Sequence, residues 1–278
     1  MLEICRLTIV ESLRRRLTLA LFGATLLLVG FTGWAFAEIS RLSALQGVER
    51  LAQFSVLMLF LMLLFTGMLA LTAVFNAAAA VAGEIESGVV AAILARPLRR
   101  ASYILGKWLG LAVVVGTFAL LAGSGEILVV SRVSGYAPPD PLAALALITG
   151  QALLLMTLSL SLATRLSAVT SAVIATVGFF LAWMLGTVDL MGVALKYPSL
   201  MTVGEIGKVL LPTNALWQAA EYCLEPPGLL VLARSFGMFS GGPFVALAPQ
   251  PPAVFVWAAI WTALVLALGI WGLARRQI

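Results

Sequence analysis

The chain has 278 residues, 62% of them apolar and 10% charged, with 17 Lys and Arg against 12 Asp and Glu for a net charge of +5. That apolar fraction exceeds what a water-soluble core needs, and the scattered bases form no continuous face for tracking nucleic-acid phosphates. With no histidine and two cysteines, Cys5 and Cys223, an imidazole metal site, a His-based triad and a multi-disulfide scaffold are excluded, while a single bridge and two packed thiols both stay open.

Residues 1–16 read as an amphipathic interfacial helix. Leu2, Cys5, Ile9 and Leu13 share one helical face, although Ile4 and Leu7 lie opposite. Arg14, Arg15 and Arg16 follow, suited to anchoring at anionic headgroups and to fixing topology.

Residues 17–278 read as an all-α integral membrane domain. Six apolar stretches reach the length of about 20 residues that a helix needs to cross hydrocarbon, at roughly 17–37, 54–82, 104–130, 142–163, 168–189 and 253–273. The side of the N-terminus carries Arg6, Arg14, Arg15, Arg16, Arg96, Arg99, Arg100, Lys107, Arg165, Arg275 and Arg276. The other carries Arg41, Arg50, Arg132, Lys196, Lys208 and Arg234, half of them in the last long loop, where charge hardly affects orientation. Both termini are therefore expected in the cytoplasm of a multi-pass inner-membrane protein. The outer connection at 190–252 is long, semi-apolar and proline-rich; short helices on or dipping into the outer leaflet, one capped by Thr213 or Asn214, and an irregular packed loop are its two readings.

The inner loop at 83–103 is the most informative stretch. The second span, about 43 Å long as a helix, exceeds the ~30 Å hydrocarbon and should project from it. It runs into Glu84, Glu86 and Gly88, then Val89 to Ala95, then Arg96-Pro97-Leu98-Arg99-Arg100. Val89 or Val90 with Ile93 and Leu94 gives an apolar stripe on a short helix that Pro97 ends. An apolar plug flanked by carboxylates and guanidiniums suits a groove on a soluble partner, with rigid spans leaving both its ends. Lys107 is placed to snorkel to the interface.

Several residues invite chemistry and also have a plain structural reading. Glu126, a carboxylate well inside a span, belongs either to the transport path or to an outer, helix-bonded or solvated position about 33 Å from Ile104. Asn76 can bridge helices or line a path, and Asp189 stands at an outer helix end. Met58 and Met62 share a face and read as core rather than a copper path. Gly106 and Gly110 form a small-xxx-small pair. Thr157, Ser159, Ser161 and Thr164 are expected to bond back to carbonyls of their own helix. No metal site is expected. An intramembrane hydrolase lacks a base and an elbow motif, and a secondary transporter would show repeats and midplane charges.

The loop resembles the permease subunits of type-2 ATP-binding-cassette exporters, whose second and third spans are joined by approximately Glu-x-Glu-x-Gly, a short apolar helix, then Pro-x-Arg and Gly-Lys. Here those elements are Glu84, Glu86 and Gly88, then Pro97, Arg99 or Arg100, and Gly106-Lys107. The basic lead, six spans and long last outer connection extend the likeness over the chain, which looks most like the group containing the nitrous-oxide-reductase maturation permease. The resemblance implies a second permease chain, identical or homologous, and two separate ATPase subunits, with ATP and Mg on those subunits and no cofactor or catalytic residue on this chain. No phosphate-loop motif occurs around Gly106-Lys107. Glu84, Glu86, Gly88, Val89, Ile93, Leu94, Arg96, Pro97, Arg99 and Arg100 would then form the coupling element. Beside an exporter stands the alternative of an ATP-driven mechanotransmitter acting on an extracytoplasmic partner.

Overall fold

A backbone in hydrocarbon has to satisfy its own hydrogen bonds, so apolar runs of this length become helices. The structure, a computed structural model, describes residues 1–42, 47–90, 99–226, 246 and 248–276. Among these, the regular elements are helices: α1 (Leu2–Arg14), α2 (Arg16–Leu42), α3 (Gly47–Glu86), α4 (Arg100–Ser134), α5 (Pro141–Ala163), α6 (Ala168–Leu195), α7 (Pro198–Leu210), α8 (Thr213–Leu224) and α9 (Pro252–Ala274). Six are long and apolar enough to cross a membrane: Thr18–Leu42, Ala52–Glu86, Arg100–Ser134, Pro141–Ala163, Ala168–Val193 and Pro252–Ala274. The six expected spans are therefore present, several lengthened where the helix outruns the apolar stretch. At 40 residues α3 is about 60 Å long, roughly twice the hydrocarbon thickness.

The core lies along α3 and α5. Met58, Met62, Phe65, Leu69, Ala73 and Ala77 make a buried stripe on α3, and Ala144, Ile148, Ala152, Leu155 and Ser159 one on α5. Lipid tails are as apolar as leucine, so close packing and interhelical hydrogen bonds hold such helices together. This corrects the expectation for two hydroxyls. Ser159 donates to the Val74 carbonyl on α3 and Ser161 to the Val265 carbonyl on α9, both at 2.8 Å, whereas Thr157 and Thr164 bond within their own turn. Small side chains let the neighbouring backbone approach within reach.

The connection after α6 is a re-entrant hairpin. α7 runs back along α6, until Leu211 meets Gly178, roughly 26 Å below the end of α6. Pro212 turns the chain, and α8 returns with Leu216 against Gly150 and the Cys223 carbonyl accepting from the Asp140 amide. Thr213 and Asn214 lie buried inside the first turn of α8 and give no side-chain cap, unlike the expectation. Residues 227–245 lie outside the described residues.

A helix ending at that depth leaves carbonyls with no water to accept from. Two indoles of α9 meet them: Trp257 Nε1 donates to Val209 O at 3.0 Å and Trp261 Nε1 to Leu210 O at 2.8 Å. Trp261→Phe keeps the ring and removes the donor, so unfolding of the purified chain in nanodiscs should lose about 1–2 kcal/mol. Unchanged stability would mean that the hairpin tip is satisfied in another way.

Candidate functional site

Both chain ends meet on one face of the bundle, where α1, the end of α3, the start of α4 and the ends of α5 and α9 converge. On that face α3 stops at Glu86. Gly88 takes φ +75, and its amide donates to the Ile85 carbonyl, a left-handed stop that suits glycine. Val89 is exposed and Val90 buried in the core. Residues 91–98, including Ile93, Leu94, Arg96 and Pro97, lie outside the described residues, and the chain resumes at Arg99.

The two flanks of this stretch are gripped. Glu84 Oε1 is 2.5 Å from Lys107 Nζ, and the Tyr103 hydroxyl donates to Glu84 Oε2 at 2.6 Å. The same ammonium reaches Glu11 Oε2 at 3.2 Å, and Arg15 pairs with Glu11 at 2.5 Å. One cation thus joins α1, α3 and α4. The Lys107 side chain is only 3% exposed, so it does not snorkel as expected; a carboxylate on either side makes burial affordable. Burial pushes the Glu11 carboxyl up, but the Arg15 hydrogen bond and the Lys107 charge outweigh that and hold it below its ordinary value.

Beside this hub, α1 docks on the glycine pair of α4. A Cβ at Gly106 would lie 2.9 Å from the Ile4 Cβ, and one at Gly110 would lie 2.7 Å from the Cys5 carbonyl oxygen. The face of α1 turned inward contains Ile4, Cys5, Thr8 and Ser12 rather than the Leu2, Cys5, Ile9, Leu13 stripe; Leu2 and Leu13 are exposed. Contact with a glycine ridge selects small residues, which apolar periodicity does not register. Beyond the far flank, Arg100 Nη1 donates to the carbonyls of Leu273, Ala274 and Arg276 at 2.6–2.9 Å, closing the C-terminal end of α9.

The remaining candidates are dispersed. Glu86, Arg99, Arg14 and Arg16 are exposed. Asn76 bridges helices, accepting from Thr18 at 2.6 Å and donating to Thr72 O. Glu126 is fully buried; it accepts from Thr32 at 3.3 Å, and its second oxygen has no hydrogen-bond partner among the described residues. Thr18, Thr25 and Thr32 are buried at seven-residue spacing on α2, a signal the sequence reading passed over. Asp189 pairs with Lys208 of α7 at 2.7 Å. Met58 and Met62 are core, both cysteines are free, and no metal-ligand cluster occurs among the described residues. Sequence reasoning also missed Glu221 on α8 and Glu225 just past its end. Burial pushes Glu225 up to about 8 despite its bond from the Ala246 amide, and burial and the Glu225 charge raise Glu221 well above its usual range.

The sequence matches the family described as ABC-2 family transporter protein over residues 4–278. It is also 29% identical, over 282 aligned positions, to the probable ABC transporter permease protein NosY of Pseudomonas aeruginosa, an alignment covering 99% of this chain and 97% of that protein.

Proposed function

The chain belongs to the ABC-2 transporter family, as a permease subunit of an ABC transporter, and from this premise we propose that it couples ATP hydrolysis on separate ATPase subunits to export of a substrate. The observation that supports this most is the grip on the 83–103 stretch. Glu84 on its near flank is tied to Lys107 and Tyr103 of α4, and Arg100 on its far flank is tied to the end of α9. A force on the segment between them would reach α1, α3, α4 and α9 together rather than dissipate in a loose loop.

In this proposal the face with both termini is cytoplasmic, in keeping with its excess of Arg and Lys. Two permease chains stand over two ATPase subunits, whose closure presses on the segment and moves α3 against the second chain. Val89, exposed at the start of the segment, with Ile93 and Leu94 supplies the apolar contact. Glu86 and Arg99 are exposed for charge pairing, whereas Glu84 and Arg100 act by fixing the two ends.

The test is Ile93→Asp in the assembled complex, with Ile93→Leu as control. Loss of an apolar anchor should weaken ATPase attachment by about 2 kcal/mol, roughly thirtyfold, releasing the ATPase from membranes or abolishing substrate-linked hydrolysis. If attachment and hydrolysis both match the unaltered complex, the stretch is not the coupling element.

A further inference from the structure

We propose that the groove between α5 and α9, near the face bearing both termini, is a binding site for one anionic phospholipid. Only the membrane reading is needed for this. The groove has a volume of about 240 Å³, with Leu158, Leu162, Val265 and Leu268 among its walls. It arises from close helix contact beside it. A Cβ at Gly269 would lie 2.7 Å from Ser161 Oγ and one at Gly272 2.8 Å from Thr164 Oγ1, so the backbones meet there and leave a furrow alongside. Leu268 is 63% exposed on its lipid-facing wall.

Charge at the mouth identifies the occupant. The Trp271 ring carries two guanidiniums, with the Arg275 Cζ 4.3 Å and the Arg165 Cζ 5.9 Å from its centroid. Neither has a carboxylate in ion-pairing distance among the described residues, whereas Lys107, Lys208, Arg15 and Arg41 each do. Cations at the ends of α5 and α9 also complement the helix dipoles. That explains their sign, but not why both are held on one aromatic ring above an apolar furrow. An acyl chain in the furrow with a phosphate at the mouth uses every part of the arrangement, as basic pockets between membrane helices do. A free phosphate would use the mouth alone.

The experiment is native mass spectrometry of the full-length chain, delipidated in detergent and titrated with dioleoyl phosphatidylglycerol or dioleoyl phosphatidylcholine. The unaltered protein should hold the anionic lipid preferentially, and Arg165→Gln with Arg275→Gln should cut that preference about thirtyfold, the effect of two near-surface charges. Leu268→Trp, which fills the furrow and leaves the charges, should lower retention of the anionic lipid as well. Gel filtration confirms the fold of each variant, and inorganic phosphate should not displace the lipid. Equal retention of both lipids by the unaltered protein, preference unchanged in the arginine variant, unchanged retention in Leu268→Trp, or displacement by inorganic phosphate would each overturn the assignment.

Discussion

Lys107→Met should lower the stability of the purified chain by about 3 kcal/mol, because it strips the cation from two carboxylates that packing has already drawn together. The methionine fills much the same volume, so the effect isolates charge from cavity formation. Its weight falls on Glu84, whose side chain is 17% exposed; Glu11, at 38%, regains hydration and keeps Arg15. Glu84 retains only the Tyr103 hydroxyl, a neutral donor. Adding Glu84→Gln should therefore restore about half of the loss, since an amide oxygen still accepts from Tyr103 and no buried anion is left unpaired. Unfolding followed by tryptophan fluorescence in mixed detergent measures all three variants. If the double variant loses the sum of the single losses, within about 0.5 kcal/mol, the pair is not coupled and the hub is a coincidence of packing.

The limits of the sequence follow from where its signals are local. A span announces itself because about 20 consecutive residues share one property, so the six boundaries emerge within a few residues. The glycine stop at Gly88 and the small-residue pair Gly106 and Gly110 are also local patterns, and both have the geometry such residues suggest. Their partners are not local. Lys107 meets a carboxylate 96 residues away, and Arg100 closes a helix end 173 residues away. Trp261 is one apolar residue among many in the last span until the Leu210 carbonyl beside it is seen to need a donor. The semi-apolar stretch after α6 allowed short helices dipping into the outer leaflet but did not show that α7 and α8 turn back at mid-depth, because a re-entrant helix has neither the length of a span nor the polarity of a loop. In each case the type of residue was visible and its counterpart was set by packing.

Gly110→Leu should detach α1 from α4, and with it one arm of the Lys107 hub. A Cβ there would stand 2.7 Å from the Cys5 carbonyl oxygen and 2.8 Å from the Thr8 Cβ, on backbone and near-backbone atoms that no rotamer change can move aside. Overpacking of this kind costs about 1–3 kcal/mol, and helix separation relieves it. Gly116 on the same helix is the control. A Cβ there comes no nearer than 4.0 Å to a side-chain methyl, so Gly116→Leu leaves the α1 contact intact. Limited trypsin digestion reads the difference, since Arg6 and Arg14 lie on α1 and cleavage requires that the helix leave its seat. A seat weakened by about 2 kcal/mol raises the open population, and the cleavage rate with it, roughly thirtyfold. Separation also takes Glu11 away from Lys107, so the variant should lose most of the further destabilisation that Glu11→Gln causes in the unaltered chain. Equal digestion of the two leucine variants would show that α1 is held by something other than the glycine ridge, and would remove it from the set of elements that a push on the 83–103 stretch can move.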